Sequence, residues 1–245
     1  MQIDVLTLFP GIFESTLQES LLKKAQENGL VHITVHNLRD WCIDKHKTAD
    51  DTPYGGGPGM VMKPEPLFSA IEDIKGKRNK PRIILLSPQG KVMNQEIVNQ
   101  LSLEKELLLL CGRYEGIDER VSENLVDEEI SIGDYVLNGG ELPALVLIEA
   151  VSRLIPGVVG DSQSVIQDSF YEDILDFPHY TRPADYRGLK VPEVLLTGNH
   201  KEIMRWRRKS ALKKTKLLRP DLLKNIELNP EDQKLLQEIE IDSKS

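Results

Sequence analysis

Cysteine occurs only twice in the 245 residues, at Cys42 and Cys111, far apart and outside any CxxC or Cys/His cluster. Neither a disulfide framework nor a zinc site is indicated, and two buried thiols are expected. Long apolar runs are also missing: Leu107 to Cys111 and Leu142 to Val151 stop well short of the roughly 20 residues a membrane span needs. The start, MQIDVLTLFPGIF, carries Asp4 and Pro10 and no basic segment, so it does not read as a signal peptide, and a cytoplasmic protein is expected. No Walker A sequence occurs, which disfavours a P-loop NTPase. Gly55, Gly57 and Gly59 mimic a G-x-G pattern but follow Asp50-Asp51-Thr52-Pro53 in place of an apolar strand, which disfavours a Rossmann fingerprint too. His46, His179 and His200 lack ligand spacing, and no metal site is expected from them.

What is present is a globular composition, 40% apolar and 29% charged, long enough for one large domain or two modest ones. The net charge of −8 argues against non-specific coating of nucleic acid. That average hides an asymmetry: Lys190 to Arg219 holds ten Lys or Arg against Glu193 and Glu202. An acidic body with a basic C-terminal patch points to selective contact with a polyanion.

The first half alternates strand-like and helix-like pieces. Ile3 to Phe9 and His32 to Asn37 read as strands around one amphipathic helix from Ile12 to Asn28. Arg82 to Leu86 and Leu107 to Cys111 flank a helical pattern at Gln95 to Leu101, and Ile130 to Leu137 reads as a short strand or a buried loop. A mostly parallel α/β sheet follows, with helices on both faces. A helix from Glu141 stops at Pro156-Gly157. The expected division is a catalytic domain over residues 1–157, a linker over 158–169 and a C-terminal domain over 170–245. The tail of the last reads as helical: Lys201 to Leu218, a short helix opened by Pro220, and another begun by Asn229-Pro230.

Nucleotide-type ligands in α/β proteins sit beyond the carboxyl ends of strands. CGRYEGIDER follows such a strand, with Gly112 and Gly116 allowing tight backbone paths and Tyr114 and Glu115 offering an aromatic face and a carboxylate; the alternative is a plain turn into a helix near Asp118. In SIGDYVLNGGEL, Gly133, Gly139 and Gly140 bracket Asp134 and Tyr135, so its backbone can wrap an adenine, whereas Asn138-Gly139 alone signals a simple β-turn.

LSPQG (Leu86 to Gly90), GRYEGIDER, SIGDYVLNGGELPA, DSF (Asp168 to Phe170), HYTRP (His179 to Pro183), LLTGNH (Leu195 to His200) and the earlier PYGGGPGMVMKPEP occur in one order across nearly the whole chain. Together they resemble the bacterial tRNA (guanine-N1)-methyltransferase family, TrmD type. The resemblance implies a SPOUT-class fold with a deep trefoil knot, a rare exception to ordinary chain connection. It also implies a homodimer whose active sites are shared between subunits, with tRNA as partner and neither DNA nor a membrane.

The same resemblance places S-adenosylmethionine among Leu86, Ser87 and Pro88, the loop carrying Gly112, Tyr114, Glu115 and Gly116, and the segment Ile132, Gly133, Asp134, Tyr135, Val136 and Leu137 with Gly139, Gly140 and Pro143. It gives Asp168 the role of base toward guanine N1 and Arg153 that of stabilising charge on O6. On local pattern alone, Asp168 reads as a helix N-cap and Arg153 as a solvated helix-end cation. Asp50 and Gly57 fall near the target nucleotides by resemblance; Asp50 otherwise reads as part of a turn-forming acidic pair. Asn199 and His200 precede a cationic helix in which Arg207 and Arg208 are expected on the tRNA backbone and Trp206 either stacks or sits in the core. Magnesium assistance is implied by resemblance, with no dedicated site in the sequence. Two rivals remain: a SPOUT relative modifying a ribose or another base, and a non-catalytic tRNA-binding module that keeps the pocket.

Overall fold

The computed structural model describes residues 1–160, 168–224 and 226–242. The chain divides into two compact units, Met1–Ser162 and Gln163–Ser245.

The first unit is built on five parallel strands in the order β2-β1-β6-β5-β7: β1 (Gln2–Thr7), β2 (His32–Asn37), β5 (Arg82–Val92), β6 (Glu106–Cys111) and β7 (Glu128–Ser131). The unbroken run Leu107 to Cys111 follows from burial on both faces, as parallel strands covered by helices require. Its alternation is visible in the two cores. Leu107, Leu109 and Cys111 join Ile3, Val5 and Ile84 under α1 (Gly11–Leu17), α2 (Ser20–Glu27), α4 (Gln95–Ser102) and α6 (Glu141–Leu154). Leu108 and Leu110 join Leu6, Ile83 and Leu85 under α3 (Pro64–Gly76) and α5 (Glu119–Leu125).

The single helix expected over Ile12 to Asn28 is two. In a continuous helix Leu22 would lie about half a turn from Phe13, yet both are buried on the same side of the sheet. Extended Glu19 and Ser20, with φ +51°, interrupt the helix and re-phase α2 so that Leu22 and Ala25 face inward. Helix α3 was legible but not anticipated: Pro64 opens it, and Leu67, Ala70, Ile71 and Ile74 follow at helical spacing. Strand β7 ends at Ser131. The stretch beyond it is a loop that leaves Tyr135 and Val136 exposed, so the buried-loop expectation fails there. The turn is driven by Gly133 at φ +145°, whose amide donates to Ser131 Oγ while that hydroxyl donates back to the Gly133 carbonyl.

Asp4, in the inner strand β1, is fully buried and paired with Arg78 through bonds of 2.7 and 2.9 Å and with His36 Nε2 at 2.7 Å. Burial pushes its carboxyl up, but the hydrogen bonds from His36 and Arg78, with the charge of Arg78, outweigh that and hold it below its ordinary value.

The second unit centres on α7 (His200–Leu218) packed with α8 (Pro230–Asp242) around Leu212, Leu235 and Ile239. It is not wholly helical. Strands β8 (Asp185–Tyr186) and β9 (Leu189–Lys190) form a hairpin whose turn residues, Arg187 and Gly188, both have positive φ. Where Pro220 was expected to open a helix there is only the 3-10 turn Leu222–Lys224. Asn229 does cap the last helix, its Oδ1 accepting from the Asp232 amide.

Candidate active site

The irregular stretch of β5 between Leu86 and Lys91, where its pairing with β7 shifts register, and the loops that follow β6 and β7 enclose a cavity of about 300 Å³. It is lined by Leu86, Ser87 and Pro88, by Gly112 to Gly116, and by Ile132, Gly133, Tyr135, Val136, Leu137, Gly139, Gly140 and Pro143. The structure therefore brings together every residue expected around the donor except Asp134, which does not line the cavity.

Glycine is a geometric requirement here. Gly140 has φ −81° and ψ −3°, open to any residue, but a Cβ on it would lie 2.8 Å from Cys111 Cα and 3.1 Å from the Gly112 nitrogen. Its amide donates to the Gly112 carbonyl at 2.9 Å, so one loop is seated directly on the tip of the other strand. Gly139 pairs with Arg113 in an antiparallel bridge, and α6 begins at Glu141, so no hairpin follows Asn138-Gly139. Asp118 Oδ1 accepts from the Arg120 amide and starts α5, so GRYEGIDER both lines the cavity and turns into the expected helix.

A second segment closes on the same wall. Asp50–Asp51 (β3) pairs antiparallel with Val61–Met62 (β4), and the Met62 and Glu115 amides donate to the Gly116 and Met60 carbonyls, both at 3.0 Å. A Cβ on Gly59 would fall 2.3 Å from Glu115 Oε1. Half-buried Asp50 and exposed Gly57 are thus carried on a loop anchored to the cavity wall. One buried network escaped the sequence reading: Glu141 Oε1 accepts from Thr7 Oγ1 at 2.8 Å and Oε2 from Arg113 Nε at 2.9 Å. Its only sequence signal was an acidic residue in the first turn of a helix otherwise apolar on its inner face. Cys111 is buried beside it as expected, and burial, with the Glu141 charge, pushes its thiol well up, whereas Cys42, also expected to be buried, is only half-buried.

A family model described as tRNA (Guanine-1)-methyltransferase TrmD matches residues 1–225. Curated proteins named tRNA (guanine-N(1)-)-methyltransferase are close in sequence. The one from Dictyoglomus turgidum is 56% identical, and one from a Geobacter species 53%, each alignment covering 98% of this chain and 96% of the relative. One from Dehalococcoides mccartyi is 54% identical over 98% of this chain and 97% of its own length. The chain belongs to the TrmD family.

The remaining residues expected to act in a TrmD enzyme divide between the two units. Arg153 lies half-buried in the last turn of α6. Asp168 lines a cavity of about 250 Å³ within the second unit, with Ile174, Phe177, Met204, Arg207 and Arg208 among its walls. The chain after Asp168 turns, with Phe170 and Asp173 at positive φ, and no helix begins there, which removes the N-cap alternative. Most of the segment read as a linker, residues 161–167, lies outside the described residues; Val158 at its start packs into the first core.

Asn199 caps α7 by accepting from the Glu202 amide, and His200 next to it is exposed. Trp206 is half-buried, its ring 6.2 Å from that of Tyr180. Arg207 stacks over Phe177 at 4.8 Å with its Nε buried and without a hydrogen-bond partner. Arg208 is committed inside the unit, bidentate to Asp232 at 2.8 and 2.7 Å and bound to Glu172 at 2.5 Å. Arg205, Lys209 and Lys216 are likewise paired with Glu238, Asp242 and Glu240 of α8. Of the ten cations from Lys190 to Arg219, those in none of these pairs, nor in that of Arg219 with Asp221, are Lys190, Lys201, Arg207, Lys213 and Lys214, and the four lysines are exposed. Among the described residues, no three His, Cys, Asp or Glu converge as a metal site, and no helix is long and apolar enough to cross a membrane.

Proposed function

We propose that this TrmD-family chain transfers a methyl group from S-adenosylmethionine to N1 of guanine 37 in tRNA, next to the anticodon on its 3′ side. The observation that carries the reading is the cavity at the strand tips, walled by three segments whose glycines let the backbone come close to a ligand. The fit is chemical as well as steric: glycines at 112, 116, 133, 139 and 140 keep side chains out, while Glu115 supplies negative charge toward a sulfonium. When bound, S-adenosylmethionine supplies an electrophilic methyl group.

The chain's own task is to prepare the nucleophile. Guanine N1 must lose its proton, and Asp168 accepts it. A free aspartate has a pKa of about 3.9 and is a weak base for that purpose, so the anion forming on guanine must be stabilised at the same time. Arg153 does this at O6, where a guanidinium favours developing negative charge. Asp168 borders a partly apolar cavity, and the flat face of Phe177 with the pliable thioether of Met204 suits a base. Asp50 and Gly57, tied to the Glu115 wall, meet the nucleotides beside the target. Asn199 and His200 at the head of α7, with Arg207 and the lysines of that helix, meet the tRNA backbone.

The division into a catalytic unit, a linker and a tRNA-binding unit follows the same reading, as does a cytoplasmic location. The deep knot of the donor-binding segments belongs to the same reading. A homodimer with shared sites is supported by Leu142 and Val146, one turn apart on α6 and both exposed, with Val136 exposed on the preceding loop. Magnesium is assigned no step. The test is nucleoside analysis of tRNA after incubation with the enzyme and donor: 1-methylguanosine is expected, and a ribose-methylated or differently methylated base would overturn the assignment.

A further inference from the structure

We propose that Glu141 is the positioning residue of the donor site, holding two of its walls in register without touching the ligand. The inference rests on the reading of the strand-tip cavity as the donor site.

Glu141 is 1% exposed, and taking a carboxylate out of water is unfavourable unless its oxygens are well paired. Both are. Oε1 accepts from Thr7 Oγ1 at the end of β1, and that same hydroxyl oxygen accepts from the Phe9 amide at 2.9 Å. Oε2 accepts from Arg113 Nε, and the Arg113 guanidinium lies over the Phe9 ring at 4.5 Å. Three segments distant in sequence therefore meet on one side chain. Two of them are cavity walls: Arg113 belongs to the loop after β6, and Glu141 directly follows Gly139 and Gly140. A Cβ on Gly139 would lie 2.3 Å from Arg113 Nε and 2.7 Å from Glu141 Oε2, so the backbone of the glycine loop rests directly against this pair. Because Arg113 balances its charge, the pair contributes geometry to the cavity and little net field. Helix stability alone would be served by an acidic residue on the solvent side of the first turn; burial toward β1 and β6 serves the register of the walls.

The full-length enzyme carrying Glu141→Gln, Glu141→Asp or Thr7→Val should be compared with wild type. The readouts are binding of S-adenosylhomocysteine by calorimetry, KM for donor and for tRNA, kcat, and the melting temperature without ligand. Glu141→Gln leaves Arg113 without its counter-charge, and binding of S-adenosylhomocysteine should weaken by about tenfold or more. Donor KM should rise in parallel, with kcat at saturating donor and KM for tRNA held within about threefold. Thr7→Val, which keeps the ion pair, should move donor KM in the same direction by less. A folded Glu141→Gln variant that binds S-adenosylhomocysteine like wild type overturns the proposal, as does a lower melting temperature with unchanged donor KM. If Glu141→Gln does not fold, normal binding by both Glu141→Asp and Thr7→Val overturns it instead. Failure of the wild-type enzyme to bind S-adenosylhomocysteine would refute the donor-site reading itself.

Discussion

Replacing Gly140 by alanine separates space from backbone conformation. The residue sits at φ −81° and ψ −3°, so alanine meets no conformational penalty. The added carbon would instead lie 2.8 Å from Cys111 Cα, 3.1 Å from the Gly112 nitrogen and 3.1 Å from Leu86 Cβ. Two of these atoms are backbone at the end of β6, a strand paired on both sides by β1 and β5, so the strand does not give way and the loop must move. Overpacking of this kind costs about 1–3 kcal/mol. Because the same displacement pulls Gly139 and Gly140 off the ligand, we expect donor affinity to fall by about 10- to 100-fold. Gly76→Ala at the end of α3 is the control: its Cβ would meet nothing within 4 Å, and it should leave binding unchanged. Calorimetric titration with S-adenosylhomocysteine, alongside thermal melts, makes the comparison. A Gly140→Ala protein that binds as tightly as Gly76→Ala would refute the steric argument and, with it, the placement of the donor against β6.

Asp168→Asn should keep donor affinity and lose single-turnover methylation; near-normal turnover would remove Asp168 from the base role. Lys213→Glu with Lys214→Glu should lower the slope of log affinity for tRNA against log salt by about 0.7–0.9 per lost contact, and an unchanged slope would place the RNA elsewhere. Arg208→Ala should instead lower the stability of the second unit by about 3 kcal/mol, because it strands the nearly buried Asp232; a normal melt with weakened tRNA binding would reverse that assignment. The buried Asp4 carboxyl titrates lower in the folded chain than in the unfolded one, so its stabilisation is complete above the unfolded value, about 3.9, and is lost as pH falls through the folded one. Asp4→Asn should therefore be less stable at pH 7 by about 3 kcal/mol and show a flatter acid limb in urea unfolding below about pH 4; parallel limbs would contradict this.

The strands and most helices were legible because parallel strands buried on both faces leave unbroken apolar runs, and Leu107 to Cys111 is such a run. The break at Glu19 was not, because the periodicity of Ile12 to Asn28 is satisfied by either phase until the sheet selects one. The loops of the donor site were legible as motifs, but not the reason for Gly140, which depends on a strand tip nearly 30 residues earlier in the chain. Glu141 was invisible for the same reason: its partners, Thr7 and Arg113, lie in other segments, and nothing local distinguishes it from a surface acid at a helix start. Arg208 shows the opposite error. Counting cations along α7 made the helix look uniformly basic, whereas the acids of α8 absorb the face that meets them.

The central claim is tested most directly by transfer of labelled methyl from S-adenosylmethionine to two unmodified tRNAs that differ only at position 37. The tRNA with guanine there should take up label to near one methyl per molecule, and its counterpart with adenine should take up none. Equal labelling of both, or labelling of neither by enzyme that binds S-adenosylhomocysteine, would contradict the account.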